Sequence, residues 1–305
     1  MSTTLAFPKR LNASLLPAMA LFSLLACTAP RSVMLSPEAT PKGEFRAGAE
    51  VGFNLATQTA DALYGGLESS AKSLWNRTRN DTAAITADSL NDLAKALMAY
   101  SLDPLTVPLG VQIRYGLWHR LDIGYRFVGG VHAFDMRYQW LGPEAANLPG
   151  WRASLDVQYS SQDYQLPSAT GLDKLQDLLQ YEFTRKDFLV PLIFGRPLGP
   201  EGKFGSVGMG LAYDLSLVKW ESQVLKLVEK AQGGGTRAFD PIQGEKAISA
   251  YGGFANARLG YRYVFLVGSL SAYWQDYGSY QLFGGKSASL SGWTLVPAMG
   301  LEFRM

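Results

Sequence analysis

The residues able to act as nucleophiles, bases or metal ligands are few in this chain. It has two histidines, His119 and His132, and one cysteine, Cys27. Hydrolysis by a nucleophile needs a serine or cysteine held beside a base that a third group orients, and neither histidine shows such a pairing in the sequence. Phosphate-binding loops, nucleophile elbows and metal-ligand spacings are also absent from the sequence. The sequence therefore predicts no enzymatic activity, no cofactor and no metal site.

Acidic and basic side chains are the remaining candidates, and they recur at every second position of extended stretches. In residues 44–56, Glu44, Arg46 and Glu50 share one face of an extended chain, and apolar side chains take the other. Side chains of a strand change face at each residue, so this pattern predicts a strand with one polar and one apolar face. In a soluble sandwich the polar face meets water. In a transmembrane barrel the apolar face meets lipid and the charges line a lumen.

The start of the chain indicates where the protein resides. A basic n-region precedes an apolar stretch that ends in Leu-Leu-Ala-Cys at residues 24–27, and this order predicts a signal peptide over residues 1–26. The last four residues resemble a bacterial lipobox, whose cysteine is lipidated and becomes the first residue of the mature protein. The resemblance predicts a lipid anchor on Cys27.

The residues after Cys27 extend this prediction. Thr28 favours export to the outer membrane over retention at the inner one. Residues 27–42 are rich in Pro, Ser and Thr, which predicts a flexible, lipid-anchored tether. The alternative is an ordinary signal peptide that is cut after Ala29, with the cysteine discarded.

Charge excludes one class of partner. The 28 basic residues exceed the 26 acidic residues by two, and the predicted signal peptide carries two basic residues, Lys9 and Arg10, and no acidic one. The mature chain is therefore about neutral and has no basic tract, which argues against nucleic acid as a partner.

The alternation of polar and apolar residues recurs in about ten segments, each close to the ~9–11 residues that a tilted membrane strand needs. Connections after even-numbered segments are short, and most connections after odd-numbered segments are long. Short periplasmic turns and longer outer loops are typical of bacterial transmembrane barrels. Residues 43–305 are therefore predicted to form an all-β, antiparallel transmembrane barrel of about ten strands. A soluble periplasmic β-sandwich lipoprotein is the alternative.

The longest connection, residues 56–103, has a different pattern. Leu90, Leu93 and Leu97 recur at helical spacing behind a polar pair that suits a helix cap. A connection of this length is usually functional or has structure of its own. We therefore expect a helical insertion in the first outer loop, forming a cap.

Together these features resemble those of bacterial outer-membrane β-barrel proteins. Residues 113–127, IRYGLWHRLDIGYRF, are similar to a barrel hairpin that crosses a tight periplasmic turn. The terminal AMGLEFRM is similar to the signal that such proteins show to their insertion machinery, with Gly300, Phe303 and Met305 at matching positions. The resemblance implies a place in the outer membrane, contact with its lipid, and recognition by the barrel-insertion machinery.

If the apolar faces meet lipid, the polar faces line the lumen. Charges of both signs alternate there, and in a narrow barrel they must pair, because an unpaired buried charge is costly. The interior is then either a packed set of ion pairs or a charged pathway for solute. The residues expected to line it are Glu44, Arg46, Glu50, Gln112, Arg114, Asp122, Arg126, Asp135, Arg137, Arg152, Asp156, Asp214, Arg258, Glu302 and Arg304.

Two functions follow from these expectations. The first is a lipid-anchored outer-membrane barrel that binds or passes a small solute through a narrow, capped lumen. The alternative is a non-conducting structural or docking barrel whose helical cap binds a protein partner.

Overall fold

The computed structural model describes residues 30–62, 95, 98–143, 148, 150–164, 181–199, 202–222, 228–230, 236–238, 242–281 and 287–305. The predicted signal peptide, Cys27 and the leucine stripe at 90, 93 and 97 lie outside these residues. The predictions made for them therefore remain predictions.

Strands dominate the described part of the chain. In chain order they are β1 (Phe45–Gly52), β2 (Leu55–Ala56), β3 (Leu109–Trp118), β4 (Leu121–Val128), β5 (Val131–Leu141), β6 (Arg152–Tyr164), β7 (Tyr181–Leu198), β8 (Gly205–Ser222), β9 (Val228–Lys230), β10 (Thr236–Ala238), β11 (Ile242–Tyr261), β12 (Val264–Gln281) and β13 (Ser287–Arg304).

Ten of these strands form one closed antiparallel sheet in the order β1-β3-β4-β5-β6-β7-β8-β11-β12-β13, and β13 returns to pair with β1. The short β2 also pairs with β13, and β9 with β10 forms a separate hairpin. Closure pairs the two strands that would otherwise be edges. The predicted all-β barrel of ten strands is confirmed, and the sandwich alternative is wrong.

The two ends of the barrel differ in their connections. At one end, called the turn end, β1 begins, β13 finishes, and the hairpins turn at 119–120, 142–151, 199–204 and 262–263. At the other end, called the loop end, long connections follow β1, β6 and β8, and a connection of five residues, 282–286, follows β12. The exception is the β4–β5 hairpin, where Gly129 and Gly130 have φ values of 57° and 82°. Two successive positive φ angles form the tight type I′ turn that glycine permits.

The wall of the barrel is higher on one side. β7, β8, β11, β12 and β13 have 18 to 20 residues, whereas β1, β3, β4 and β5 have 8 to 11. The extra length lies at the loop end, where the sequence pattern predicted connections instead of strand. We call the extensions the raised wall, residues 181–187, 217–222, 242–249, 275–281 and 287–292.

The polarity of the two faces inverts where the raised wall begins. On the outward face of β13, Met299 and Leu301 are exposed below Trp293, whereas Ser289 and Ser291 are exposed above it. On the inward face, charged residues below give way to an apolar cluster above. A barrel wall in lipid needs apolar side chains on its outward face, whereas a wall in water needs polar side chains there. The inversion therefore marks the upper limit of a lipid-facing band.

Aromatic rings mark both limits of this band. Trp293 packs edge-on against Trp274 at 5.4 Å between ring centroids near the loop end, and Phe303 lies at the turn end. The eleven residues from Trp293 to Phe303 are separated by ten steps, which cover about 34 Å of strand. At a tilt near 40° this is about 25 Å along the barrel axis, the height of the apolar band in outer-membrane barrels.

The first outer connection is helical at both of its described ends. Residues 57–62 and 98–102 are helical, and they pack inside the raised wall. The cluster they form with it comprises Ala62, Met98, Ala99, Tyr100, Leu102, Phe183, Val218, Ile248, Tyr277, Tyr280 and Leu290. We call this the cup. Among the described residues, no helix has the length and apolar character to cross a membrane.

Candidate functional site in the barrel lumen

The lumen contains part of the chain itself. Residues 30–40, the lumen segment, run inside the barrel from the turn end, where β1 begins, towards the loop end. All of them except Leu35 and Ala39 are buried. The prediction of a flexible tether is therefore wrong for residues 30–40, because these residues are enclosed and hydrogen-bonded along their length.

At the loop end, Arg31 fixes the lumen segment to the wall. Its Nη1 donates to Gln275 Oε1 at 2.9 Å and to Asp103 Oδ2 at 3.2 Å, and its Nε lies 3.2 Å from Asp214 Oδ2. The Tyr273 hydroxyl donates to the Arg31 carbonyl at 2.8 Å. Arg31 is only 4% exposed, so its charge depends on these two carboxylates.

Asp103 joins the lumen segment to the helical insertion. Its carboxylate also accepts hydrogen bonds from Tyr277 at 2.8 Å, from Thr294 at 2.5 Å and from Asn54 Nδ2 at 2.5 Å. The Thr59 hydroxyl donates to its main-chain carbonyl at 2.6 Å. One buried carboxylate thus holds the end of the insertion, two wall strands and Arg31 together.

Beside Arg31, main-chain groups of the segment are held by side chains of the shorter strands β1 and β3 to β6, which have 8 to 13 residues and which we call the low wall. Arg126 on β4 donates to the Ser32 carbonyl at 3.1 Å and to its hydroxyl at 2.8 Å, and it pairs with Glu50 at 2.6 Å. Gln158 on β6 donates to the Pro30 carbonyl at 2.8 Å and accepts from Arg126 at 3.1 Å. These bonds satisfy polar groups that burial would otherwise leave unpaired.

Two apolar side chains of the segment fill gaps in the same region. Met34 packs against Val267 and Ala298. Val33 joins a cluster of inward wall residues, namely Leu189, Ile193, Ala212, Ala250, Phe254, Tyr273 and Val296. The apolar contacts lie on the side of the lumen opposite Arg126.

Nearer the turn end, Glu38 is surrounded by arginines. Its carboxylate lies 2.9 Å from Arg258 Nη2, 3.1 Å from Arg152 Nη1 and 3.4 Å from Arg46 Nη2. Arg258 also contacts Glu302 at 2.5 Å. Hydrogen bonds between charged groups are the strong ones, so Glu38 is the main anchor of the segment at this end.

The main chain is bound at this end as well. Arg137 donates to the Ser36 carbonyl at 2.6 Å, and Arg46 donates to the Ser36 hydroxyl at 2.8 Å. The backbone N–H of Thr40 donates to Asp122 Oδ2 at 2.5 Å. Between the two ends, Asn256 Nδ2 donates to the Val33 carbonyl at 3.2 Å and to the Leu35 carbonyl at 2.9 Å. The segment is therefore held at the turn end, the middle and the loop end.

The charges of the wall and of the segment are complementary. Near the turn end, three arginines of the wall surround Glu38. Near the loop end, the wall has the carboxylates of Asp187 and Asp214, which contact Arg185 of the wall, and Asp214 also contacts Arg31 of the segment. The segment thus carries a negative charge where the wall is positive and a positive charge where the wall is negative. This complementarity indicates that the wall is built around the segment.

Other charges pair across the wall itself. Arg114 contacts Asp122 at 2.5 Å, contacts Asp135, and lies 3.9 Å from Asp156. Arg137 Nε donates to Asp122 Oδ1 at 3.2 Å. Asp122 and Arg137 also bind the main chain of the segment, so this network connects the segment to the wall.

A small cavity lies beside the segment in mid-lumen. The cavity there has a volume of about 10 Å³, with Leu35, Ser36, Arg46, Arg114 and Arg137 in its lining. This is about the volume that a single water centre requires. A larger cavity, about 230 Å³, opens at the turn end beside Glu38, Thr40 and Gln139.

The structure places the predicted lumen residues as follows. All are buried except Gln112, which is half-buried beside the small cavity, and the pair Glu44 and Arg304. That pair lies at the turn-end rim, with 2.9 Å between Arg304 Nε and Glu44 Oε2. Met305 exchanges backbone hydrogen bonds with Phe45, which fixes the end of the chain to β1.

Sequence reasoning missed five charged residues of the lumen: Arg31, Glu38, Asp103, Arg185 and Asp187. Arg31 and Glu38 lie in a Pro-rich stretch without alternation, so strand parity could not place them. Arg185 and Asp187 share the inward face of β7 with Phe183 and Leu189, and they alternate with the exposed Glu182 and Lys186. This alternation is a signal in the sequence that β7 begins before residue 187, and it could have placed both residues in the lumen.

The histidines lie apart from this site. His132 faces outward, with its Nδ1 2.7 Å from the Tyr125 hydroxyl, and His119 is exposed in a turn-end hairpin. Within the described ranges, no group of three or more His, Cys, Asp or Glu residues could hold a metal ion.

Comparisons with known proteins extend to the fold alone. No family model matches the chain, and no curated protein does. Solved structures similar to it include a major outer membrane protein from Thermus thermophilus, with 10% identity, a TM-score of 0.33, and coverage of 86% of this chain and 99% of that one. Ail of Yersinia pestis, solved with the heparin analogue sucrose octasulfate, has 8% identity, a TM-score of 0.30 and coverage of 87% and 99%. Neisserial surface protein A has 9% identity, a TM-score of 0.27 and coverage of 85% and 95%.

Proposed function

We propose that the protein is a bacterial outer-membrane barrel that does not conduct, because its own lumen segment seals it. The turn end faces the periplasm, and the loop end, with the raised wall and the cup, faces outward. The observation that carries the proposal is the burial of Arg31 and Glu38 among complementary charges of the wall. Of the two functions that the sequence left open, the geometry favours the non-conducting structural or docking barrel.

The lumen argues against solute passage at rest. An ion crossing it would have to displace residues 30–40, which are held at three levels and leave a cavity of about 10 Å³ in mid-lumen. Displacing them would take the Glu38 carboxylate away from three arginines and the Arg31 guanidinium away from two carboxylates. Uncompensated buried charges cost several kcal/mol, so the filled lumen is the stable state.

The raised wall supports a docking role. Its outward face is polar and its inward face packs on the helical insertion, so it is built like a water-soluble fold standing above the apolar band. A membrane barrel whose only task was to span lipid would not need strands of 18 to 20 residues when about 9–11 suffice. We infer that the cup and the raised wall present a binding surface for a protein partner outside the cell.

Conductance across planar bilayers tests the sealing. We expect no steady current from the purified full-length chain and a steady current after deletion of residues 30–40, with the deletion variant still migrating as a folded barrel. A steady current through the full-length chain would favour solute passage and contradict the proposal. Deletion of residues 63–94 serves as the matched control, because it shortens the insertion and leaves the lumen segment in place.

A further inference from the structure

The direction of the lumen segment determines where the preceding chain lies. β1 begins at the turn end, and Thr40 is bound to Asp122 near that end. Going backward in sequence, the segment passes Glu38 and Ser36 and reaches Arg31 beneath the cup. Residues 30–40 therefore run down through the lumen from beneath the cup, and the chain only then turns at residues 41–44 into its first strand.

Pro30 lies close to the rim of the low wall. Its carbonyl is held by Gln158 on β6, and its neighbour Ser32 is held by Arg126 on β4. Arg126 lies three residues below Gly129, which forms the tip of the β4–β5 hairpin. Three residues of strand rise about 10 Å, so a short length of chain ahead of Pro30 reaches the loop-end rim on this side.

The same chain cannot reach the opposite end. Cys27 is three residues from Pro30, and three residues span at most about 11 Å. The apolar band is about 25 Å high. While residues 30–40 occupy the lumen, a group on Cys27 is too far from the turn end to enter the leaflet there.

We propose that the protein is threaded through its own barrel and presents the residues ahead of Pro30 at the cell surface. An acyl group on Cys27 would then enter the outer leaflet, beside the low wall. This inference rests on the proposed function for the orientation of the barrel. It adds that the lipid anchor enters the outer leaflet, and it excludes an anchor in the periplasmic leaflet while residues 30–40 occupy the lumen.

An epitope inserted between Ala29 and Pro30 of the full-length chain tests the threading, because this position survives both predicted signal cleavages. Two matched controls carry the same epitope at residues 231–235, in a loop-end connection, and at residues 144–147, in a turn-end connection. Antibody binding is measured on intact cells and again after the outer membrane is permeabilised. Heat-dependent gel migration shows that each variant has a folded barrel.

We expect antibody to bind the inserted epitope and the loop-end control on intact cells, and the turn-end control only after permeabilisation. If the loop-end control is exposed and the inserted epitope is hidden until permeabilisation, threading is wrong while the orientation stands. If the two controls exchange behaviour, the proposed orientation is wrong.

A second variant covers the case in which the epitope prevents folding. A cysteine inserted between Ala29 and Pro30 in a Cys27→Ala background adds a single thiol that is kept after cleavage at Ala29, and a membrane-impermeant maleimide reports its side of the membrane. We expect labelling of intact cells to equal labelling after permeabilisation. Labelling that occurs only after permeabilisation would overturn the proposal.

Discussion

At the scale of single residues, Glu38 makes the most consequential contacts in the lumen. It offers one carboxylate to Arg46, Arg152 and Arg258, and all four side chains are almost fully buried. A buried ion pair adds little net stability relative to an apolar replacement of both partners, but removing one partner leaves an uncompensated charge. Here a single removal takes from three arginines the carboxylate that they share, while Glu302 remains beside Arg258.

We therefore expect Glu38→Gln to lower the free energy of unfolding by about 3–5 kcal/mol, the range for breaking a buried pair. Urea unfolding in detergent, followed by tryptophan fluorescence, measures the change. Glu44→Gln is the matched control, since its pair with Arg304 lies at the rim with the two side chains 37% and 20% exposed, and exposed pairs contribute about 1 kcal/mol or less. Equal losses in the two variants would contradict the role assigned to Glu38.

The face on which a single residue lies was predictable where the residue belongs to a strand with alternating polar and apolar side chains. Arg114, Asp122 and Arg137 alternate with apolar neighbours, so their faces could be read from the sequence, and they are buried on the inward face. Arg31 and Glu38 could not be placed in this way, because the segment that carries them is neither helix nor strand. Its position depends on tertiary charge complementarity with residues far away in the sequence.

At the scale of elements, the strands combine two environments in one continuous stretch. β13 is apolar outside from Trp293 to Phe303, and polar outside from Ser287 to Ser291. A search for one apolar face ends each strand at the inversion, which is why sequence analysis stopped near Trp293. The strand count and the order of the hairpins were predictable, because the alternation within the lipid-facing band is regular.

The inversion of polarity predicts that the outward face of β13 tolerates arginine above Trp293 but not below it. Met299→Arg places a charge near the middle of the apolar band, and we expect a loss of about 2–4 kcal/mol, as for arginine at a bilayer midplane. Ser289→Arg, on the same outward face above Trp293, should change the free energy of unfolding by less than about 0.5 kcal/mol, as surface substitutions usually do. Unfolding of both variants in lipid vesicles checks this. A comparable loss at Ser289 would place the raised wall in lipid.

The helical insertion depends on the raised wall for its packing. Leu102 is 1% exposed in the cup, and Arg185 donates to its carbonyl. We expect Leu102→Ala to cost about 2–5 kcal/mol, the range for truncating a buried leucine, and to increase proteolysis of the insertion. Limited digestion of the folded protein, with Leu217→Ala on the outward face as control, measures the effect. Unchanged digestion would mean that the insertion does not depend on this contact.

At the scale of the whole molecule, the barrel and its filling form one unit. The wall supplies complementary charges at both ends of the lumen segment, and Asp103 connects that segment to the insertion above it. A narrow lumen of ten strands is only modestly wider than one that side chains fill by themselves, so a single extended segment suffices to close it. Sealing, threading and the support of the cup all depend on the same eleven residues, 30–40.

The occupancy of the lumen in the living cell is the central claim, and one cross-linking measurement tests it most directly. Val33→Cys and Ser271→Cys are combined in a Cys27→Ala background, since the Val33 N–H and the Ser271 hydroxyl oxygen are 3.4 Å apart between heavy atoms. The two cysteines are left to oxidise as the chain folds in the oxidising periplasm, and disulfide-linked peptides are identified by mass spectrometry. Leu270→Cys replaces Ser271→Cys in the control, because residue 270 faces outward on the same strand. We predict a linked peptide from the Val33–Ser271 pair and none from the control. Absence of the link in the first pair, with both thiols shown to be reactive in the unfolded chain, would show that the segment does not occupy the lumen.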